Sequence, residues 1–187
     1  MNERFICRDT AIPDLKIVET KRLGDDRGFL ERLFCAEELI ATGWRKPIAQ
    51  INRTKTLRRG TVRGLHFQHP PHSEMKFVIC LRGKVFDVAV DLRAGSPALL
   101  KFHTLILTED TPLALLVPEG FAHGFQTLTD DVEMLYLHSL PYVAASEAGI
   151  CPTDARLGIA WPLEISEISA RDANHPRLDV SFTGVKL

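Results

Sequence analysis

The chain has 187 residues, 45% hydrophobic and 25% charged, enough for one full core and short for two, so a single domain over 1–187 is expected. Its 23 Lys plus Arg nearly balance 24 Asp plus Glu, which argues against a nucleic-acid partner held by overall positive charge. No apolar run approaches a membrane span, the start Met1-Asn2-Glu3-Arg4-Phe5 lacks an apolar signal core, and four scattered cysteines without a C-x-x-C pair read as free thiols of a cytoplasmic protein.

In chain order, Ile12 to Thr20 alternates and reads as an extended edge segment, and Gly24-Asp25-Asp26-Arg27-Gly28 as a turn followed by a short strand, Phe29 to Phe34. Cys35 to Gly43 is the best helix candidate, stopped by its glycine. Ala49 to Thr54 reads as a strand with polar groups on one face. The central stretch is Thr61 to Gln68, where strict alternation puts Arg63, Leu65 and Phe67 on one face and Val62, Gly64, His66 and Gln68 on the other. Arg58-Arg59, just before it, reads as a solvated loop.

Lys76 to Leu81 is apolar and β-branched, a buried strand with Lys76 at its mouth, and Lys84 to Leu92 alternates over nine residues. Strands follow at Phe102 to Leu107, Ala114 to Val117, Gly124 to Leu128 and Val132 to Leu137, and helical turns are expected between Leu163 and Asp172. Many short strands separated by turns predict an all-β antiparallel sandwich or barrel with a few short flanking helices. A histidine and a lysine lining one such barrel would make a pocket able to move a proton and hold an anion.

The histidines invite a metal reading. His66, His69, His72 and Glu74 are followed by Pro118-Glu119-Gly120-Phe121-Ala122-His123, which is similar to the paired metal motifs of cupin-type jelly rolls. The usual first motif wants His-x-His, however, and Gln68 is a poor ligand beside imidazole. His69 and His72 flank Pro70-Pro71 on a loop, so converging ligands at about 2.0–2.1 Å, as zinc requires, are not expected, and neither a metal nor any other cofactor is assigned.

Seven blocks stand in order from about residue 11 to 176. They are Asp26-Arg27-Gly28-Phe29, Arg63 to Gln68, Lys76-Phe77-Val78, Asp87 to Arg93, Pro118 to Phe125, Tyr136, and Ser169-Ala170-Arg171-Asp172. Together they resemble the dTDP-4-dehydrorhamnose 3,5-epimerase family, nucleotide-sugar epimerases on a cupin-like jelly roll. The resemblance implies an isomerase of deoxysugar biosynthesis needing no cofactor. Its substrate would be a dTDP-linked 4-keto-6-deoxysugar, inverted at C3, C5 or both. It further implies a homodimer that exchanges N-terminal strands. The alternative class is a metal-dependent or non-catalytic sugar-binding cupin.

A ketone acidifies its neighbouring carbons because the carbanion delocalises into an enolate, so epimerisation needs a base, an acid on the opposite face, and positive charge at the ketone oxygen. By resemblance, His66 is the base and Asp172 its orienting partner, Tyr136 the acid, and Lys76 the enolate stabiliser. Arg27, Arg63 and Arg171 match positions that approach the diphosphate, and guanidinium groups suit phosphate oxygens. Phe29, Gln50, Asn52, His123 and Tyr142 match substrate-binding positions, with Arg27 and Phe29 serving the neighbour's site in an exchanged dimer. Two departures touch the thymidine side: Arg32 stands where an acidic residue is expected, with Glu31 one place early, and Pro141 replaces the first ring of an aromatic pair.

Overall fold

Alternating apolar residues resolve here into two stacked antiparallel sheets, described for residues 4–187 of a computed structural model. Residues 1–3, part of the stretch read above for a signal core, lie outside the described residues. The strands are β1 (Phe5–Asp9), β2 (Lys16–Thr20), β3 (Arg22–Asp25), β4 (Gly28–Glu31), β5 (Gln50–Thr56), β6 (Thr61–Gln68) and β7 (Lys76–Arg82). They continue as β8 (Lys84–Asp91), β9 (Phe102–Thr108), β10 (Leu113–Val117), β11 (Phe121–Thr127), β12 (Val132–His138), β13 (Glu147–Gly149) and β14 (Glu167–Ile168). The helices are α1 (Ala36–Leu39) and α2 (Ala170–Ala173), four residues each.

One sheet runs β1-β2-β10-β7-β12-β5 and the other β13-β6-β11-β8-β9, with β14 beside β6, the expected jelly roll. Between them pack Val78, Cys80, Leu115, Val117 and Met134 from the first sheet and Val85, Ala89, Phe121 and Phe125 from the second. Both outer faces are also covered. Leu39 and Trp44 lie over Phe77, Ile79 and Leu116, while Ile150, Leu157 and Val185, with the half-buried Trp161 and Phe182, lie over Leu65, Phe67, Val88 and Val90. Burial on two faces is why Phe77 to Cys80 reads as a continuous apolar run rather than an alternation, while Leu81 at its end is exposed.

Three expectations need correction. The segment ending at Thr20 is not an edge: β2 pairs with both β1 and β10, and β1 is the edge. The strand expected from Phe29 to Phe34 stops at Glu31, because among the described residues β4 pairs only with β3, in a two-stranded hairpin outside the main sheets. The helix from Cys35 is one α-turn followed by a 3-10 turn, Ile40–Thr42, closed by Gly43 in a left-handed conformation (φ 105°). Among the described residues, no helix is long and apolar enough to cross a membrane, and all four cysteines are free.

Candidate active site

The decisive local feature is a β-bulge in β6. Across β11, His123 pairs with His66 but Phe125 pairs with Arg63, so Gly64 and Leu65 share one position opposite Gly124. Strict alternation would send Arg63 and His66 to opposite faces. The extra residue restores the phase, so both line the pocket while Leu65 and Phe67 pack outward. Gly64 sits at φ +124°, and a Cβ there would lie 2.6 Å from the Gly124 Cα and 2.9 Å from the His123 carbonyl oxygen. Only glycine fits this backbone.

The pocket opens between the sheets with a volume of about 840 Å³, within the usual range for small-molecule sites. His66 Nε2 lies 2.9 Å from Asp172 Oδ1, and the other carboxylate oxygen accepts from the Gly64 amide at 3.0 Å. Asp172 is delivered by α2, whose N-cap Ser169 accepts from the Asp172 amide. Burial alone would push the Asp172 carboxyl up, but the hydrogen bonds from His66, Gly64 and Ser169 hold it well below the usual carboxylate range. An ionised Asp172 fixes the tautomer of His66: Nε2 carries the proton and Nδ1 the lone pair. Arg171 Nη2, 3.1 Å from that Nε2, has no lone pair to meet there and acts as a charge beside the carboxylate.

Lys76, the first residue of β7, is buried; its ammonium donates to the His66 carbonyl at 2.9 Å and lies 3.2 Å from Glu74. Two of its three donors are thus occupied and one remains. Tyr136 enters from β12 with its phenol pushed far above its ordinary value by burial, reinforced by the Asp87 carboxylate, so it stays protonated. His123 Nε2 lies 2.9 Å from both oxygens of the fully buried Asp87, and its ring meets that of Tyr136 edge-on. Gln50 and Asn52 line the mouth from β5. Tyr142, whose amide donates to Gln50, shares Glu147 with Arg171: its hydroxyl donates at 2.8 Å and Arg171 Nη1 at 2.9 Å.

Of the twelve site residues read from the sequence, ten line this pocket. Arg27 and Phe29 do not: they sit on the β3–β4 hairpin, Arg27 paired with Asp25 and Phe29 60% exposed beneath the Arg22 guanidinium. His72 bonds Ser146 and His69 packs edge-on to Phe67, so neither joins His66 and His123. Arg58, read as solvated loop, lines the pocket's rim.

This arrangement can be set beside known proteins. The model of the dTDP-4-dehydrorhamnose 3,5-epimerase family matches residues 9–179. The chain belongs to that family. It is 42% identical over 179 residues to a dTDP-4-dehydrorhamnose 3,5-epimerase of Salmonella typhimurium, covering 94% of this chain and 96% of that one. Among solved structures, the Bacillus anthracis dTDP-4-dehydrorhamnose 3,5-epimerase with TDP and PPi bound superposes with a TM-score of 0.90 at 35% identity, covering 93% of this chain and 99% of that one. A Legionella pneumophila dTDP-6-deoxy-D-glucose-3,5-epimerase, in complex with dTDP-4-keto-L-rhamnose, gives 0.89 at 34% identity, covering 97% and 98%.

In this epimerase-family chain, sequence reasoning missed two pocket groups, His138 and Glu147, and the buried Asp87 that holds His123. His138 lies two residues past Tyr136 on β12, stacked on that ring and 3.5 Å from the Asn52 amide; burial and the nearby Lys76 lower its imidazole to about 4, so it is neutral. The period-two step from Tyr136 was the available signal. Asp87 stood in a recognised block, but its union with His123 crosses two strands and has no signature in spacing. Glu147, which ties Tyr142 to Arg171, had no signal at all. The first of the two departures on the thymidine side is satisfied within the chain: Glu31 pairs with Arg22 and Arg32 with Glu38.

Proposed function

We propose that this chain is an epimerase of a nucleotide-linked 4-keto-6-deoxyhexose, inverting C3, C5 or both through an enolate. The observation that carries the reading is the His66–Asp172 pair sharing one pocket with Lys76 and a protonated Tyr136. Nδ1 of His66 takes the proton from carbon next to the ketone, and Asp172 stabilises the imidazolium that forms. The remaining Lys76 donor meets the oxygen as it becomes an enolate. Tyr136, entering from the other sheet, returns a proton to the opposite face. Its burial suits it to this task, since a phenol held protonated acts as an acid and not as a competing base.

Arg63 and Arg171 are the assigned diphosphate ligands, and Gln50, Asn52, His123 and Tyr142 hold the sugar and the nucleotide. Arg27 and Phe29 are assigned to a neighbour's pocket. Leu30 on the same hairpin is 67% exposed and β1 has a free edge among the described residues, a combination that favours a second copy of the chain exchanging N-terminal strands. The functional unit is then a dimer of single 1–187 domains, acting in the cytoplasm, where free thiols persist. Light scattering at micromolar concentration is expected to give a dimer, and monomer alone would refute this part. The activity is tested by incubation with dTDP-4-keto-6-deoxyglucose in deuterated water. Each inverted carbon is expected to acquire deuterium, and no incorporation at C3 or C5 would refute the reading.

A further inference from the structure

The mechanism leaves His175 unused. It follows α2, three residues after Asp172, and its buried Nε2 has no hydrogen-bond partner among the described residues. That nitrogen lies 3.7 Å from Asp172 Oδ1, and its ring meets the His66 ring edge-on, centroids 5.5 Å apart. Gly149 is what admits the ring. It pairs with His66 from β13, and a Cβ at that position would collide with three atoms of the His175 imidazole. One nitrogen from each of His66 and His175 and one carboxylate oxygen of Asp172 therefore converge, all within 4.8 Å of one another. Two imidazoles and a carboxylate suit zinc, cobalt or nickel, whereas magnesium and calcium call for oxygen ligands.

We propose that His66, Asp172 and His175 form a binding site for a divalent transition-metal ion, and that occupancy of it disarms the base. Coordination needs the lone pair on Nε2 of His66, so the proton now on Nε2 moves to Nδ1. The ring stays neutral and no proton is lost, but Nδ1 can no longer accept one from a substrate carbon. Zinc bonds of about 2.0–2.1 Å are reached by opening the 2.9 Å His66–Asp172 contact slightly and drawing His175 inward. Arg171 opposes the ion, with Nη2 3.1 Å from His66 Nε2 and Nε 3.2 Å from Asp172 Oδ1. Its side chain is 57% exposed and tethered to Glu147, so it can turn outward, and the ion and the guanidinium exclude each other.

The test is a cobalt(II) titration of metal-free protein followed by visible absorption. Wild type is expected to bind one ion per chain. His175→Ala, which removes a ligand, and Gly149→Ala, which displaces it, should each weaken binding at least tenfold. Imidazole proton resonances of wild type supply a result independent of any variant: zinc should shift His66 and His175 and spare His123 and His138. Zinc should also suppress solvent-deuterium exchange reversibly to chelator, each variant being compared with its own metal-free rate. No saturable cobalt binding, equal binding in both variants, or zinc shifts confined to other histidines would overturn the proposal. The inhibition arm rests on the epimerase reading, and the two fail differently. Cobalt bound at this site in a protein that never exchanges substrate deuterium refutes the activity alone, whereas exchange without a metal site refutes this inference alone.

Discussion

Replacing Asp172 by asparagine separates the orientation of His66, the proposed base, from the shape of the pocket. The carboxylate presents two acceptors, Oδ1 to His66 Nε2 at 2.9 Å and Oδ2 to the Gly64 amide at 3.0 Å. An amide has one acceptor and one donor and cannot serve both. If its oxygen faced His66, its NH₂ would confront the Gly64 N–H, leaving a buried donor unpaired at about 1–3 kcal/mol. If its oxygen faces Gly64, the NH₂ donates to His66 Nε2 and the imidazole shifts its proton to Nδ1. The two neutral tautomers of imidazole differ little in energy, so the second arrangement wins and the base loses its lone pair. General base catalysis is worth about 10²–10⁴-fold, which at about 1.36 kcal/mol per tenfold is about 2.7–5.4 kcal/mol of barrier. Deuterium incorporation from solvent, followed by proton NMR, should fall by that factor in Asp172→Asn. TDP binding should be nearly unchanged and the melting temperature should move only a few degrees. Exchange within tenfold of wild type would refute the tautomer argument.

Tyr136→Phe should split two signals lost together in His66→Ala: deuterium still enters from the base side while inversion fails or becomes partial, and parallel loss of both in the Phe variant would contradict the assigned acid. Gly64→Ala forces a side chain into a left-handed backbone against Gly124, at about 1–3 kcal/mol for the strain alone, so a melting temperature lower by roughly 2–12 °C is expected by calorimetry. Because the folded state holds His138 neutral down to about pH 4, below its ordinary value near 6.5, the unfolded chain binds the extra proton first. Stability should therefore fall as pH drops from 6.5 towards 4, and His138→Gln should flatten that slope in urea midpoints at pH 7 and 5. With Arg32 engaged by Glu38 and Pro141 in place of a ring, uridine diphosphate should compete nearly as well as thymidine diphosphate, and a large preference for the thymidine nucleotide in a competition assay would show that the base is read.

Much of this protein was legible in one dimension because strand alternation, turn glycines and apolar runs are local consequences of burial. Arg63 to Gln68, Lys76 to Leu81 and Lys84 to Leu92 announced a β sandwich, and the order of seven blocks pointed to a family and to ten residues that do line one pocket. Facing was another matter. Period two is a property of an unbroken ladder, and the bulge at Gly64 is defined only against β11, so no pattern within β6 could tell that Arg63 and His66 share a face. The edge was misplaced for the same reason, since whether a strand has one neighbour or two is decided by pairing at long range, and β10, the neighbour that encloses β2, lies about ninety residues on. The union of His123 with Asp87, the tie from Tyr142 through Glu147 to Arg171, and the approach of His175 to His66 are likewise contacts between distant segments. They arise from the closing of two sheets and a tail around one cavity, and only the tertiary structure decided them.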